Sequence, residues 1–246
     1  MKRFIYALII LPVIWMGCAG NISDDDNYDA QFKEALLLLE KEKYISAQDI
    51  LNRLAIRASH TELGDDIQYY LAESFFLNDE FHLAIAEYNE LVRKMGFSPL
   101  VEDARWRICE CYVYLSPRYY LDQISSEKAI DKLQEFIEDF PNSDHKDEVN
   151  DTVHNMRNKL AQKALETGIL YIKLGAYDSA IITFEHMLGD YYDTEYVSDA
   201  HLGIIRSYSA MQKKDDAEKY YHSFKHNFSE DADLEANNIL SNLKSE

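Results

Sequence analysis

The sequence predicts an all-α fold, in which five helix pairs stack into an elongated superhelical array with insertions in the middle repeats. From Tyr28 onward, apolar residues recur three and four positions apart, which is the spacing of one face of an α-helix. The same region is rich in Leu, Ala, Glu, Tyr and Lys and contains three prolines. Five of its segments also share one order of small and large side chains, and such internal repetition indicates stacked helical repeats.

The N-terminus has the features of an export signal. Lys2 and Arg3 precede an apolar run over residues 4–16, which is too short to remain in a bilayer as a spanning helix. We therefore predict that residues 1–17 are a lipoprotein signal peptide that is removed from the mature protein.

Cys18 is predicted to carry lipid. Its neighbours Gly17 and Ala19 resemble the sequence at which lipoprotein signal peptidase cleaves before a diacylated cysteine, with Trp15 in place of the usual Leu. Ala19, in the second mature position, is not the aspartate associated with retention at the inner membrane. The resemblance implies a palmitate-type lipid anchor on the periplasmic face of the cell outer membrane, and ordinary secretion is the alternative.

Residues 18–27 form a predicted linker between this anchor and the fold. Asp24, Asp25 and Asp26 repel one another and keep such a segment extended, and an acidic run here also resembles surface-export signals of some lipoproteins. Loss of residues 1–17 removes two basic residues and no acidic one, so the net charge changes from −19 to −21. This charge argues against nucleic acid as a partner.

The repeated segments share an aromatic or polar residue, an Ala three positions later, and large apolar residues four and seven positions after the Ala. The five alanines are Ala47, Ala84, Ala129, Ala180 and Ala217. Three of the segments also have a small residue twelve positions before the Ala. Small residues at both places allow two helices to cross closely, and the combination is typical of tetratricopeptide helix pairs.

The spacing of these alanines predicts where the array is interrupted. Successive alanines are 37, 45, 51 and 37 residues apart, whereas an uninterrupted array repeats at about 34. The first insertion falls within residues 95–126, and the second lengthens a helix predicted over 145–174 to on the order of 45 Å. We accordingly expect an N-terminal half with repeats 1 to 3 at 28–143. A C-terminal half at 144–246 holds repeats 4 and 5 and a terminal helix.

Several stretches resemble a known family. Residues 117–123 read Pro-Arg-Tyr-Tyr-Leu-Asp-Gln, and a Phe-Pro-Asn-Ser turn follows at 140–143. Together with the helix that ends at residue 174, they resemble the BamD family of outer-membrane assembly lipoproteins, which has five tetratricopeptide repeats. Repeat 5 departs from the family, because Ile205 replaces the small residue and Lys214 the aromatic one.

The resemblance implies a scaffold rather than an enzyme. Its partners would be a barrel-type, BamA-like insertase with periplasmic domains, unfolded outer-membrane proteins, and the membrane through the N-terminal lipid. In this family the C-terminal repeats join the insertase and the N-terminal repeats receive clients.

The first helices of the pairs are expected to line a concave groove, which suits an extended or helical peptide. The register predicts that four residues of repeat 2 face this groove and contact clients: Asp66, Tyr69, Glu73 and Phe76. Asp199 and Arg206 occupy the groove face of repeat 5 and are predicted to contact the docking partner. For each residue the alternative is a solvated helix face or the edge of the core.

No segment has the pattern of a catalytic or metal site. Phosphate-binding Gly-rich loops, nucleophile elbows and paired metal-binding histidines with an adjacent Glu do not occur. Cys109 and Cys111 point to opposite sides of a helix and are interpreted as packing residues. His222 and His226 have helical spacing but no third ligand nearby. We therefore predict a protein that is not an enzyme and binds no metal or cofactor.

A second hypothesis is a tetratricopeptide lipoprotein of another class, either a coordinator of cell-wall synthesis or division or a glycan-binding surface protein. Glycan binders of this type usually have domains outside the repeats, and the sequence has no stretch that would form one. An enzyme is the third class, and the sequence contains no reactive set of side chains in its favour.

Overall fold

The computed structural model describes residues 27–243, which contain eleven α-helices and no strand. The helices are α1 (Tyr28–Glu40), α2 (Tyr44–Arg57), α3 (Gly64–Leu77), α4 (Phe81–Lys94), α5 (Val101–Tyr114), α6 (Ile124–Asp139), α7 (Lys146–Lys173), α8 (Tyr177–Asp190), α9 (Val197–Ala210), α10 (Lys214–Phe224) and α11 (Glu230–Asn242). The all-α prediction is confirmed. The predicted signal peptide, Cys18 and the linker up to residue 26 lie outside the described residues.

Consecutive helices pair as the repeat pattern predicts. α1 packs with α2, α3 with α4, α5 with α6, α7 with α8 and α9 with α10, and each pair packs on the next one. α11 packs mainly on α9 and so closes the C-terminal end of the array. Within the described range, no helix is both long and apolar enough to cross a membrane.

Four of the five pairs turn through a single residue in the left-handed region. The backbone φ angle is 58° at Glu42, 59° at Asp79, 58° at Gln212 and 74° at Gly175. At Gly175, for example, the backbone N–H bonds the carbonyl of Ile172 at 3.0 Å, which satisfies a carbonyl at the helix end. The third pair lacks this turn and has instead a loop over residues 115–123, which is one of the predicted insertions.

The small residues of the repeat pattern lie where helices cross. All five repeat alanines are fully buried, at 0% exposure. The large apolar residues that follow them are also buried, with one exception. Phe224, the last residue of α10, is 38% exposed and packs on the rings of His201 and Tyr220.

Three helices meet closely around Phe184 of α8. Its ring lies between Gly168 of α7 and Gly203 of α9, and a Cβ on either glycine would come closer than 3.0 Å to the ring. Glycine is therefore needed at both positions for the two helices to approach Phe184. The sequence pattern identified Gly168 but not Gly203.

α7 belongs to two repeats at once. It has 28 residues and is on the order of 42 Å long. Met156 and Leu160 of α7 pack against α6, and Ala161 and Leu165, further along the helix, pack against α8. The predicted long helix is thus present, and it joins the N-terminal and C-terminal halves of the array.

Candidate functional site

The four residues predicted to line a groove in repeat 2 lie on α3, where Glu73 and Phe76 contact Arg107 of α5. We use the name repeat 2 groove for this surface of α3 and α5. Glu73 of α3 is buried, and its Oε1 atom lies 2.7 Å from Nε of Arg107 of α5. The hydroxyl of Tyr88 of α4 donates a hydrogen bond to the same carboxylate. Arg107 also contacts Glu110 at 2.9 Å. One buried carboxylate therefore connects three helices below the groove surface.

Burial and the neighbouring charges shift the pKa values of the groups in this network. Burial alone would lower the pKa of Arg107, but the carboxylates of Glu73 and Glu110 outweigh it and raise that pKa. Burial raises the pKa of Glu110, and Arg107 opposes that shift. Burial and the neighbouring Glu73 raise the pKa of Tyr88, so its hydroxyl stays protonated and can donate.

The other three residues predicted to contact clients are half-buried at the groove surface. Tyr69 packs edge-on against Tyr88 at 5.7 Å between ring centroids. Phe76 lies under the guanidinium of Arg107, whose central carbon is 4.8 Å from the ring centroid. Burial and the adjacent Asp65 raise the pKa of Asp66. Client contact by these residues and by Glu73 stays a prediction.

Two groove residues of α5 were not identified from the sequence. Arg107 and Tyr114 are seven positions apart and so lie on one helix face. Tyr114 is 61% exposed and stacks on Phe81 at 5.0 Å. Extending the repeat register from α3 to α5 would have pointed to this face, but the spacing of the repeats is irregular at that place.

The side chain of Gln123, which is buried, forms hydrogen bonds along the loop at 115–123. Its amide nitrogen lies within 3.2 Å of three loop carbonyls, those of Arg118, Tyr119 and Leu121. Its amide oxygen accepts a hydrogen bond from Ser126 at 2.7 Å. Asp122 accepts from the backbone N–H of Ile124 at 3.0 Å at the start of α6. The Asp-Gln pair thus fixes the conformation of this loop.

Two lysines of α7 attach the same loop to the long helix. Lys159 donates to the hydroxyl of Ser116 and, at 3.0 Å, to the carbonyl of Pro117. Lys163 donates to the carbonyl of Leu121 at 2.7 Å. Burial lowers the pKa of Lys159. The loop is therefore part of the joint between repeats 3 and 4 rather than a free insertion.

The loop between α8 and α9 is attached to α7 by Arg157. Its guanidinium contacts both carboxylate oxygens of Asp193, at 2.6 to 3.0 Å, and the carbonyl of Asp190 at 2.7 Å. The hydrogen bond from Arg157 lowers the pKa of Asp193. These contacts fix the position of repeat 5 relative to α7.

The two residues predicted to contact the docking partner lie on α9. Asp199 is exposed in the first turn of the helix. Arg206 is 44% exposed at its side chain, and its Nη2 atom lies 2.6 Å from Glu235 of α11. α11 was predicted only as a terminal helix, and its pairing with Arg206 could not be read from the repeats. A docking role for either residue stays a prediction.

The described residues contain no cluster of three or more His, Cys, Asp or Glu that could hold a metal ion. Cys109 and Cys111 are buried free thiols, as expected for packing residues, and burial raises the pKa of each to about 12.

His201 is buried beside Tyr220 and Asn227. Burial, followed by the nearby His226, lowers its pKa to about 4, so its ring is neutral at pH 7.

Comparison with known proteins identifies the family. The sequence pattern of the family described as "YfiO: Outer membrane lipoprotein" matches residues 24–223. This chain belongs to the YfiO family of outer membrane lipoproteins. The match runs from residue 24 into the last turn of α10 and so includes residues of all five helix pairs.

Two relatives of this YfiO-family chain have the name outer membrane protein assembly factor BamD. The one from Rickettsia prowazekii is 23% identical over 230 residues, which cover 89% of each chain. The one from Caulobacter vibrioides is 17% identical over 219 residues, which cover 87% of this chain and 72% of the relative. The family resemblance seen in the sequence is therefore confirmed.

Solved structures of tetratricopeptide proteins are also similar, at low identity. One from Thermus thermophilus is 17% identical with a TM-score of 0.36, and covers 87% of this chain and 99% of its own. One from Parabacteroides merdae is 11% identical with a TM-score of 0.39, and covers 89% of this chain and 93% of its own. These scores are low, so the description of this YfiO-family fold rests on its own helix pairing.

Proposed function

We propose that this chain is a non-catalytic scaffold lipoprotein of the outer-membrane β-barrel assembly machinery. One observation carries the proposal: the YfiO family pattern spans residues 24–223, and the relatives that match along most of the chain are assembly factors named BamD. Lipid on Cys18 would hold the scaffold to the periplasmic face of the outer membrane, since several buried acyl chains anchor a protein stably.

In this proposal the two halves bind different partners. The C-terminal repeats dock to a BamA-like insertase with periplasmic domains, with Asp199 and Arg206 at the contact. The N-terminal groove receives unfolded outer-membrane proteins. Its half-buried aromatic rings, Tyr69 and Phe76, and the exposed Tyr114 supply the rigid apolar contacts that peptide-binding surfaces commonly use.

Purification from outer membranes in mild detergent tests the proposal. A tagged chain should bring down a multi-domain barrel protein in stoichiometric amount, and the variant Cys18→Ser should leave the membrane fraction. Recovery of the lipoprotein alone would contradict the assembly role. Labelling of intact cells with a membrane-impermeant reagent tests the periplasmic location, because an assembly scaffold should be shielded and a surface glycan binder should react.

A further inference from the structure

A cleft of about 450 Å³ opens on α7, at the joint between repeats 3 and 4. Its floor is formed by Asn155, Lys159 and Gln162 of α7. Residues 118–120 of the 115–123 loop form one wall, and Glu195 and Tyr196, just before α9, form the other. This α7 cleft is separate from the groove between α3 and α5 and contains none of the residues assigned above to client or docking contacts.

The floor of the α7 cleft presents two amides without partners. Asn158 accepts a hydrogen bond from the backbone N–H of Glu195 at 3.2 Å, whereas Asn155 and Gln162 have no hydrogen-bond partner among the described residues. They are seven positions apart, which places them about 10.5 Å apart along the helix. An extended chain covers about 10 Å in three residues. Each amide offers donors and an acceptor, as a peptide main chain does.

The walls of the α7 cleft are held in place before any ligand binds. Gln123 and the two lysines of α7 fix the loop that carries Tyr119 and Tyr120. Asn158 fixes the backbone at Glu195 on the other side. Tyr120 is nevertheless 59% exposed, so its ring is available to a ligand. Such preorganisation lowers the entropy lost when a ligand binds.

The charge of the α7 cleft differs from that of the rest of the molecule. The chain has a net charge of −19, yet the cleft has two cations, Arg118 and Lys159, against the single anion Glu195. The ammonium group of Lys159 already donates hydrogen bonds to the 115–123 loop. Within residues 27–243, the guanidinium of Arg118 donates only to the hydroxyl of Tyr120, at 3.3 Å. A guanidinium with donors to spare beside an exposed aromatic ring suits a ligand with a carboxylate next to an apolar side chain.

We propose that the α7 cleft binds an extended peptide segment that carries an acidic residue next to an aromatic one. Asn155 and Gln162 bond its main chain, Arg118 pairs with its carboxylate, and Tyr120 and Tyr196 pack on its aromatic ring. A peptide fits better than a glycan, because the rings of Tyr119 and Tyr120 are nearly perpendicular, at 86°, and form no flat stacking surface. The inference rests on the proposed function only in that the chain binds other polypeptides.

Fluorescence anisotropy on the purified full chain tests the inference with a defined probe. The probe is a labelled, end-capped nine-residue peptide of Ser and Thr with a central Phe-Asp pair. Arg118→Glu should weaken its binding about tenfold and should favour the matching Phe-Lys peptide instead. Asn155→Leu and Gln162→Met should each weaken binding severalfold, as should N-methylation of the peptide bonds beside Phe-Asp. Asn150→Leu, on the same helix outside the cleft, is the matched control and should leave binding unchanged.

Three outcomes would overturn the inference. They are no binding of the Phe-Asp peptide, binding that the cleft variants do not change, and cleft-dependent binding of an N-acetylglucosamine oligomer in place of the peptide. Circular dichroism of each variant excludes loss of folding as the cause. Co-purification of the insertase with Arg118→Glu separates this test from the proposed function, since docking should survive even if the cleft binds nothing.

Discussion

Arg107 shows how a single residue determines the groove of repeat 2. Its guanidinium contacts Glu73 and Glu110 and covers the ring of Phe76, so it connects α3 to α5 through charge and packing together. A buried carboxylate without a cation is costly, whereas a pair replaced as a whole costs much less. The groove surface therefore depends on an arginine that lies partly beneath it.

Arg107→Met should lower the free energy of unfolding by about 2 kcal/mol, because it leaves Glu73 buried without a cation. This loss of stability is smaller than the loss expected for a fully buried ion pair, since the Arg107 side chain is 31% exposed. The double variant with Glu73→Gln should recover part of the loss. Urea unfolding measures the free energy of unfolding of each variant. Arg93→Met is the control, because it removes only a surface ion pair within one helix and should change the free energy of unfolding little. Equal effects of Arg107→Met and Arg93→Met would contradict the prediction.

His201 should make stability depend on pH. The pKa of its buried ring is about 4 in the folded chain, against an ordinary value of 6.5. The unfolded chain therefore takes up a proton first as the pH falls. The stability that the neutral ring provides is complete above about pH 6.5 and is lost between pH 6.5 and 4, by up to about 1.4 kcal/mol per pH unit.

Comparison with His201→Gln isolates this effect from the titration of carboxylates. The difference in free energy of unfolding between the two proteins should shrink as the pH is lowered from 7 to 4 in urea titrations. His222→Gln, at an exposed position, controls for the loss of a histidine. A difference that is independent of pH would mean that His201 titrates normally.

At the scale of elements, the turns within pairs decide where each helix ends. Three of the four left-handed turn residues have side chains, and the fourth is Gly175. The left-handed backbone conformation costs an L-residue about 1 to 2 kcal/mol of conformational energy. The packing of the two helices that each turn joins must therefore stabilise these turns. The third pair replaces the turn by the 115–123 loop, which needs Gln123 and two lysines of α7 to hold its shape.

Gly175→Ala should lower the free energy of unfolding by about 1 kcal/mol, although no atom lies within 4 Å of the new methyl group. Gln212→Gly should raise it by about 0.5 kcal/mol, because glycine adopts the same φ without strain. Gly189→Ala, inside α8 in open space, is the matched control and should stabilise by about 0.5 kcal/mol. Thermal or urea unfolding measures all three. A stabilising effect of Gly175→Ala would show that φ there is not positive in solution.

At the scale of the whole molecule, the helices form an open series rather than a closed bundle. Each packs mainly on its neighbours in sequence, and α7 joins the two halves by packing on both α6 and α8. The chain is strongly acidic, with 44 acidic against 25 basic residues. An open acidic array exposes long faces to basic or neutral partners.

Small-angle X-ray scattering tests the open shape. A compact domain of the length of residues 27–246 has a radius of gyration of about 17 Å. The chain starting at Asn27 should give a clearly larger value, because its first and last helix pairs do not pack on each other. A value near 17 Å would mean that the array folds back on itself.

Local patterns in the sequence determined the helices, their pairing and the long α7, which was expected over 145–174 and is observed at Lys146–Lys173. Helix periodicity and small residues at crossings act over a few turns, so one sequence reveals them. Only the tertiary structure decided that Arg107 meets Glu73 and that Arg206 meets Glu235 of α11. These partners are about 30 residues apart, and charge pairs have no period that relates one position to the other. The packing of neighbouring helices sets such contacts, and with them which groove residues stay free to bind a partner.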